Sequence, residues 1–200
     1  MGIVIERARP AQPSQRQRWG NIFTIAYALV AIVLALLIKN SMQSATVVYS
    51  DPEVGITVQY PETWLLDTEG ASVLRVRNMS ADGFKTSIQV QVLPVNIEIT
   101  GRNLIDNLIL SRSQTLASFD VLSRESITLG ENERPATAMT FTYVENEPNP
   151  FLESLPRVIQ GMDVLATQGG QALIVTFLSD TDQFDANFPV FQRFLNELEF

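Results

Sequence analysis

Residues 85–93 read Lys-Thr-Ser-Ile-Gln-Val-Gln-Val-Leu. Ile88, Val90 and Val92 recur at every second position, with Ser87, Gln89 and Gln91 between them. A period of two places the apolar set on one face of a pleated strand and the polar set on the other. This is the pattern of a half-buried strand in an antiparallel sheet. Strands of parallel sheets are covered on both faces and read instead as continuous apolar runs.

The same period continues toward the N-terminus. Residues 46–49 and 56–60 read as strands around the turn Asp51-Pro52-Glu53-Val54-Gly55, and residues 72–77 alternate again before Ala81-Asp82-Gly83. Pro61 ends one of these strands, and Trp64 is placed to pack beneath it. Toward the C-terminus the period changes to 3.6 over residues 103–119. There Leu104, Ile105, Leu108, Ile109, Leu116 and Phe119 share one helical face, and Thr100 or Asn103 can cap the start. Strands resume over residues 121–129 and 136–144, on either side of the turn-rich stretch 130–135. In the second, Thr137, Met139, Phe141 and Tyr143 lie opposite Ala138, Thr140 and Thr142. Residues 157–167 and 171–178 pair as a hairpin across Gly169-Gly170. A last helix opens at Asp180 or Thr181, with Phe184, Phe188, Phe191, Leu195 and Leu198 as its apolar face and Pro189 near its start. Strands, helix, strands, helix is the order of an α+β domain, a mostly antiparallel β-sheet flanked by helices rather than alternating βαβ units.

This domain, residues 45–200, follows a different kind of segment. Ile22 to Ile38 carries no charge, and its polar groups are Thr24 and the Tyr27 hydroxyl. With Trp19 and Lys39 as interface anchors the run reaches about 20 residues, enough to cross a ~30 Å hydrocarbon layer. Residues 19–40 are therefore expected to form one transmembrane helix, and residues 1–18, mixing Pro, Gln and Arg without periodicity, a disordered tail. A cleaved signal peptide is the rival reading. Cuts after Ser44 or Ala45 would put Met42 or Gln43 where a small residue is needed, which argues against it. Four Arg against one Glu precede the run, whereas nine basic residues face 21 acidic ones beyond Lys39. The basic excess places the N-terminus in the cytoplasm, the anchor in the cell membrane, and the acidic domain outside the cytoplasm. So acidic a domain repels nucleic acid and anionic headgroups.

The stretch Asp51 to Trp64 resembles the opening of PsbP-like domains: an acidic turn, a Gly, an alternating strand, then Tyr60-Pro61 and Trp64. The later order of helix, Gly-Gly hairpin and Phe-rich closing helix is similar too. The resemblance covers residues 45–200. It implies an α/β/α sandwich, with Tyr60, Pro61 and Trp64 as a structural corner. The best-known members of that family are extrinsic lumenal subunits of photosystem II. The metal-binding His residues described for its plant members have no counterpart in this chain, and an apolar run stands in place of the plant-type N-terminal extension. The resemblance thus extends to the fold and not to a photosynthetic role.

The chain has no His and no Cys. That removes Ser-His-Asp and Cys-His chemistry, thiolate nucleophiles, disulfides and the commonest transition-metal ligands. Gly169-Gly170 lacks the pattern of a phosphate loop. The densest carboxylates, Asp67/Glu69, Glu131/Glu133 and Asp180/Asp182/Asp185, fall in loops or at a helix start, where solvated or capping carboxylates are ordinary. Their spacing does not match an EF-hand. Glu145 to Pro150 is a Pro-stiffened loop that could dock a partner, and Asn78-Met79-Ser80 matches the glycosylation acceptor pattern. No catalytic, cofactor or metal residue is assigned. The expected function is a non-enzymatic, membrane-anchored accessory domain acting on a membrane-protein partner. The alternative is an extracytoplasmic sensor for a small ligand, lipid or cation, and a carboxylate-based hydrolase ranks third.

Overall fold

The computed structural model describes residues 23–35, 45–81, 83–95, 101–130, 134–145 and 155–200. The chain divides into two units, Met1–Ser44 and Ala45–Phe200. In the first, residues 23–35 form a helix, α1. Its apolar side chains are exposed all round, from Phe23 at 67% and Tyr27 at 77% to Leu34 at 52%. The described turns rise about 20 Å. Among the described residues no helix is long and apolar enough to cross a membrane. The expected anchor residues Trp19, Ile22, Ile38 and Lys39 lie outside the described residues.

The second unit opens with β1 (Thr46–Asp51) and β2 (Ile56–Pro61), an antiparallel pair. Then come β3 (Leu65–Asp67), β4 (Leu74–Arg77), β5 (Ser87–Pro94), α2 (Gly101–Thr115), β6 (Ala117–Leu129), β7 (Arg134–Glu145), β8 (Arg157–Gln168) and β9 (Gln171–Asp180). A 3-10 turn over Thr181–Gln183 leads into α3 (Phe184–Asn196). One seven-stranded sheet runs β3-β4-β5-β9-β8-β7-β6, and every pairing in it is antiparallel.

Both faces of this sheet are covered, and the pleat sorts the side chains between them. On one face Ile88, Val90, Val164, Val175 and Phe177 meet Phe184, Phe191 and Phe194 of α3 and Ile56, Val58 and Tyr60 of β2. On the other, Met139, Phe141, Tyr143, Ile159, Leu165 and Ile174 meet Ile105, Leu104 and Leu108 of α2. β7 therefore buries both of its faces. The Ala136/Ala138 side, read from sequence only as the strand's second face, packs in the α3 core.

Phe177 is the centre of the α3 core. Its ring stacks on Phe191 with centroids 4.9 Å apart and lies 5.1 Å from Phe184 and 6.4 Å from Phe188. The β2 strand is tied in by reciprocal backbone bonds, Thr57 N to Glu199 O at 2.9 Å and Glu199 N to Thr57 O at 2.8 Å. Gly169 and Gly170, at φ 59° and 82°, make the β8–β9 turn. Two successive positive φ angles are what a two-residue hairpin loop matched to strand twist demands.

Three sequence expectations shift. The mid-domain helix ends at Thr115 rather than 119: β6 already begins at Ala117, and Ser118 within it takes the left-handed conformation at φ 52°, where the β6–β7 register shifts. Phe119 reaches the expected core from that strand, its ring 5.4 Å from Phe141. β3 was not expected, since three residues are too few to show a period. Pro189 sits inside α3 rather than near its start, the helix having been opened earlier by the 3-10 turn and the buried Phe184.

Gly161 of β8 faces the α2 core opposite Phe141. A Cβ there would stand 2.3 Å from Cζ of the Phe141 ring and 2.8 Å from Leu178 Cδ2. Gly161→Ala is therefore expected to cost about 1–3 kcal/mol of stability. Urea denaturation of the full chain checks this, and a loss below about 0.5 kcal/mol would show that the ring moves aside freely.

Candidate functional site

The α2 core contains a charge. Asp163 lies mid-strand in β8 and is 1% exposed, with Met139 of β7 and Thr176 of β9 as its cross-strand neighbours. Arg112, in the last turn of α2, reaches down to it. Arg112 Nη2 donates to Asp163 Oδ1 at 2.6 Å and to Thr176 Oγ1 at 3.1 Å, and Thr176 Oγ1 donates to Asp163 Oδ1 at 2.6 Å. The guanidinium also lies 4.7 Å from the centroid of the Phe141 ring. Asp163 Oδ2 and Arg112 Nε are buried and make no hydrogen bond. Burial pushes the Asp163 carboxyl above its ordinary range, while Arg112 and then Thr176 pull it back. Nearby, burial first and the Glu145 carboxylate second push the Tyr143 hydroxyl up to about 12, against the pull of Arg112. The arrangement fastens α2 to the sheet. It presents no open face to a substrate, because the carboxylate is enclosed by strands and helix.

This cluster was not singled out from sequence. The signal was present: Asp163 interrupts the run Val158 to Ala166, in a strand buried on both faces. A charge at such a position needs a buried partner. The partner itself was not legible, since Arg112 is remote in sequence.

The residues singled out from sequence are scattered. Tyr60 and Trp64 are buried in the α3 core at 8% and 7% exposure. Trp64 N donates to Pro61 O at 3.0 Å, closing a tight corner after β2. Asp67 pairs with Arg77 at 3.3 Å and accepts from Glu69 N, so it braces the β3 end. Asp180 caps the 3-10 turn through Asp182 N and lies 3.6 Å from Arg157. Asp182 and Asp185 are exposed. Glu131, Glu133 and residues 146–150 lie outside the described residues. Among the described residues no three Asp or Glu side chains gather where they could hold a metal ion.

Several open grooves remain. One, about 370 Å³, runs between Gly55, Arg134 and Glu197. A second, about 290 Å³, is flanked by Val54, Val92 and Leu173. A third, about 280 Å³, is bounded by Asn78, Phe84 and Asn187.

No model of a known protein family matches the chain, and no curated protein matches it in sequence. Solved structures do match. The solution structure of cyanobacterial PsbP, CyanoP, from Synechocystis sp. PCC 6803 superposes with a TM-score of 0.54 at 12% identity, over 78% of this chain and 92% of that one. The fold is PsbP-like. The Ran-binding protein Mog1p of Saccharomyces cerevisiae superposes at 0.51 with 10% identity, over 78% of this chain and 95% of that one. At these identities the likeness is one of backbone architecture. Both alignments span nearly the whole of the neighbour.

Proposed function

We propose that this chain is a membrane-tethered, non-enzymatic domain. It is held on the extracytoplasmic face of the cell membrane and acts as an accessory to a membrane-protein partner. The observation that carries the reading is α1. A helix that is apolar around its whole circumference needs a hydrophobic environment on every side. Ile25, Tyr27, Leu29, Val30, Ile32 and Val33 all present such surface to solvent. The basic tail before it and the acidic domain after it supply the orientation. Two features of the domain favour a binding role over catalysis. The buried Arg112–Asp163 pair is closed by its own packing, and the chain lacks the residue types most used for proton transfer near neutral pH. Among proteins that share the fold, Mog1p is described by what it binds, the protein Ran.

Protease accessibility in cells stripped of any outer barrier tests the topology. Residues 45–200 are expected to be cut in intact cells while the N-terminal tail stays protected. Cutting only after lysis would overturn the orientation. Recovery of the full chain in the soluble fraction would overturn the anchor. The accessory role is tested by capturing the tagged chain from membranes in mild detergent. A membrane protein recovered in stoichiometric amount is expected, and repeated recovery of the chain alone would overturn the role.

A further inference from the structure

β4 ends at Arg77 and β5 begins at Ser87, and Asn78 is the first residue of the connection between them. Its backbone N donates to Thr86 O at 2.8 Å, which closes the neck of that connection. The Asn78 side chain folds along its own chain: Oδ1 accepts from Ser80 N at 3.1 Å and from Ser80 Oγ at 2.6 Å. A backbone N–H can only donate, so the end of the amide that meets it is the oxygen, and Nδ2 is the other end. Among the described residues no acceptor takes the Nδ2 hydrogens. Met79 is 48% exposed and Ser80 is exposed, so the tripeptide stands at the surface. The Lys85 ammonium donates to the carbonyls of Met79 and Ala81 and holds the backbone of the turn in place.

Asn78-Met79-Ser80 has the form Asn-x-Ser with a residue other than Pro between, and no other Asn in the chain is followed two residues on by Ser or Thr. Such tripeptides are common, and the folded chain adds a contact between the two ends of this one. An amide nitrogen is a poor nucleophile because its lone pair is delocalised onto the oxygen. Donors held on that oxygen stabilise the negative charge it takes up when the nitrogen loses a proton. The Ser80 hydroxyl and backbone N–H already occupy Oδ1 in this way, and they leave Nδ2 free to react.

From this geometry we infer that Asn78 is an N-glycosylation site. The donor is a glycan carried on a lipid pyrophosphate. Nδ2 attacks C1 of its first sugar, and the bond from C1 to the phosphate oxygen breaks. The lipid pyrophosphate leaves with the electron pair, and the Nδ2 proton passes to a base of the transferase. The product carries a bulky, solubilising group on the β4–β5 connection. The inference rests on the extracytoplasmic placement proposed above, since lipid-linked glycans are transferred on that side of the membrane.

The test isolates the full chain from the membranes of its own cells, digests it, and reads the peptide holding Asn78 by mass spectrometry. A glycan on Asn78 is expected, and its enzymatic release should leave a carboxyl where the amide was. Ser80→Ala, expressed in the same cells, should lower occupancy at least about tenfold, whereas Ser80→Thr, which keeps the hydroxyl, should retain it. Neither variant should move the melting temperature, because Ser80 is exposed, so a change in occupancy reports the hydroxyl and not unfolding. An unmodified Asn78 in a chain whose residues 45–200 are cut in intact cells would overturn the inference and leave the topology standing. An unmodified Asn78 in a chain protected in intact cells would overturn both. Equal occupancy in Ser80→Ala would also overturn the inference.

Discussion

Phe177→Ala is expected to lower the stability of the domain by about 3–5 kcal/mol, a large part of the 5–15 kcal/mol typical of a folded domain. Phe177 is fully buried, and three other Phe rings pack directly on it. Truncation removes the transfer free energy of the ring and leaves a cavity that the neighbours cannot close without breaking their own contacts. The cavity would sit where α3 meets β9, so α3 should loosen before the sheet does. Urea denaturation of the full chain, followed by fluorescence of the buried Trp64, measures the loss. Leu122→Ala on β6 is the control: that side chain is 54% exposed, and its truncation should cost no more than about 0.5 kcal/mol. A loss below about 1 kcal/mol for Phe177→Ala would show that the Phe cluster does not hold α3 to the sheet.

Arg112→Met is expected to be of similar size, about 3–5 kcal/mol, for a different reason. It leaves Asp163 buried beside Thr176 with no cation. The double variant Arg112→Met/Asp163→Leu removes both charges and should recover most of that loss, since an apolar pair avoids desolvating two ions. If the single variant matched the parent protein, the ion pair would be contributing nothing. The pH dependence is a second readout. Burial raises the Asp163 carboxyl above its usual 3.8, and Arg112 opposes that rise. Without Arg112 the carboxyl rises further. The folded state then holds the proton more tightly than the unfolded state does. The stability linked to it is fully present below the unfolded value and is lost as pH rises through the folded one. Arg112→Met should therefore regain stability as pH falls from neutral toward the ordinary carboxylate range. The parent protein should show less of this rise.

The contrast between these two variants shows where the sequence was readable. Ile88, Val90 and Val92 announced their strand because a period of two is a local property of the chain. Gly169-Gly170 announced a hairpin because both residues must take positive φ. Phe184, Phe188 and Phe191 declared a helix face by their spacing, and the Asp51–Trp64 stretch carried the resemblance to a PsbP-like opening. Phe119 was assigned to the right core by the wrong element, since its distance from Leu116 suits a helix while the chain is already a strand from Ala117. The strand order β3-β4-β5-β9-β8-β7-β6 was not legible. Pairing β5 with β9 joins segments far apart in the chain, and only the fit of two covered faces selects that neighbour.

The candidate sites divide in the same way. By itself the sequence determined an α+β domain, its antiparallel strands, its acidic character and the uncharged run around α1, because each is written in composition or in a short period. The tertiary structure alone decided that Arg112 meets Asp163, and that Asn78, Phe84 and Asn187 border one pocket. Those groups are brought together by helix docking and strand crossover, and the packing free energy that positions them is a property of the whole sheet rather than of any stretch of residues.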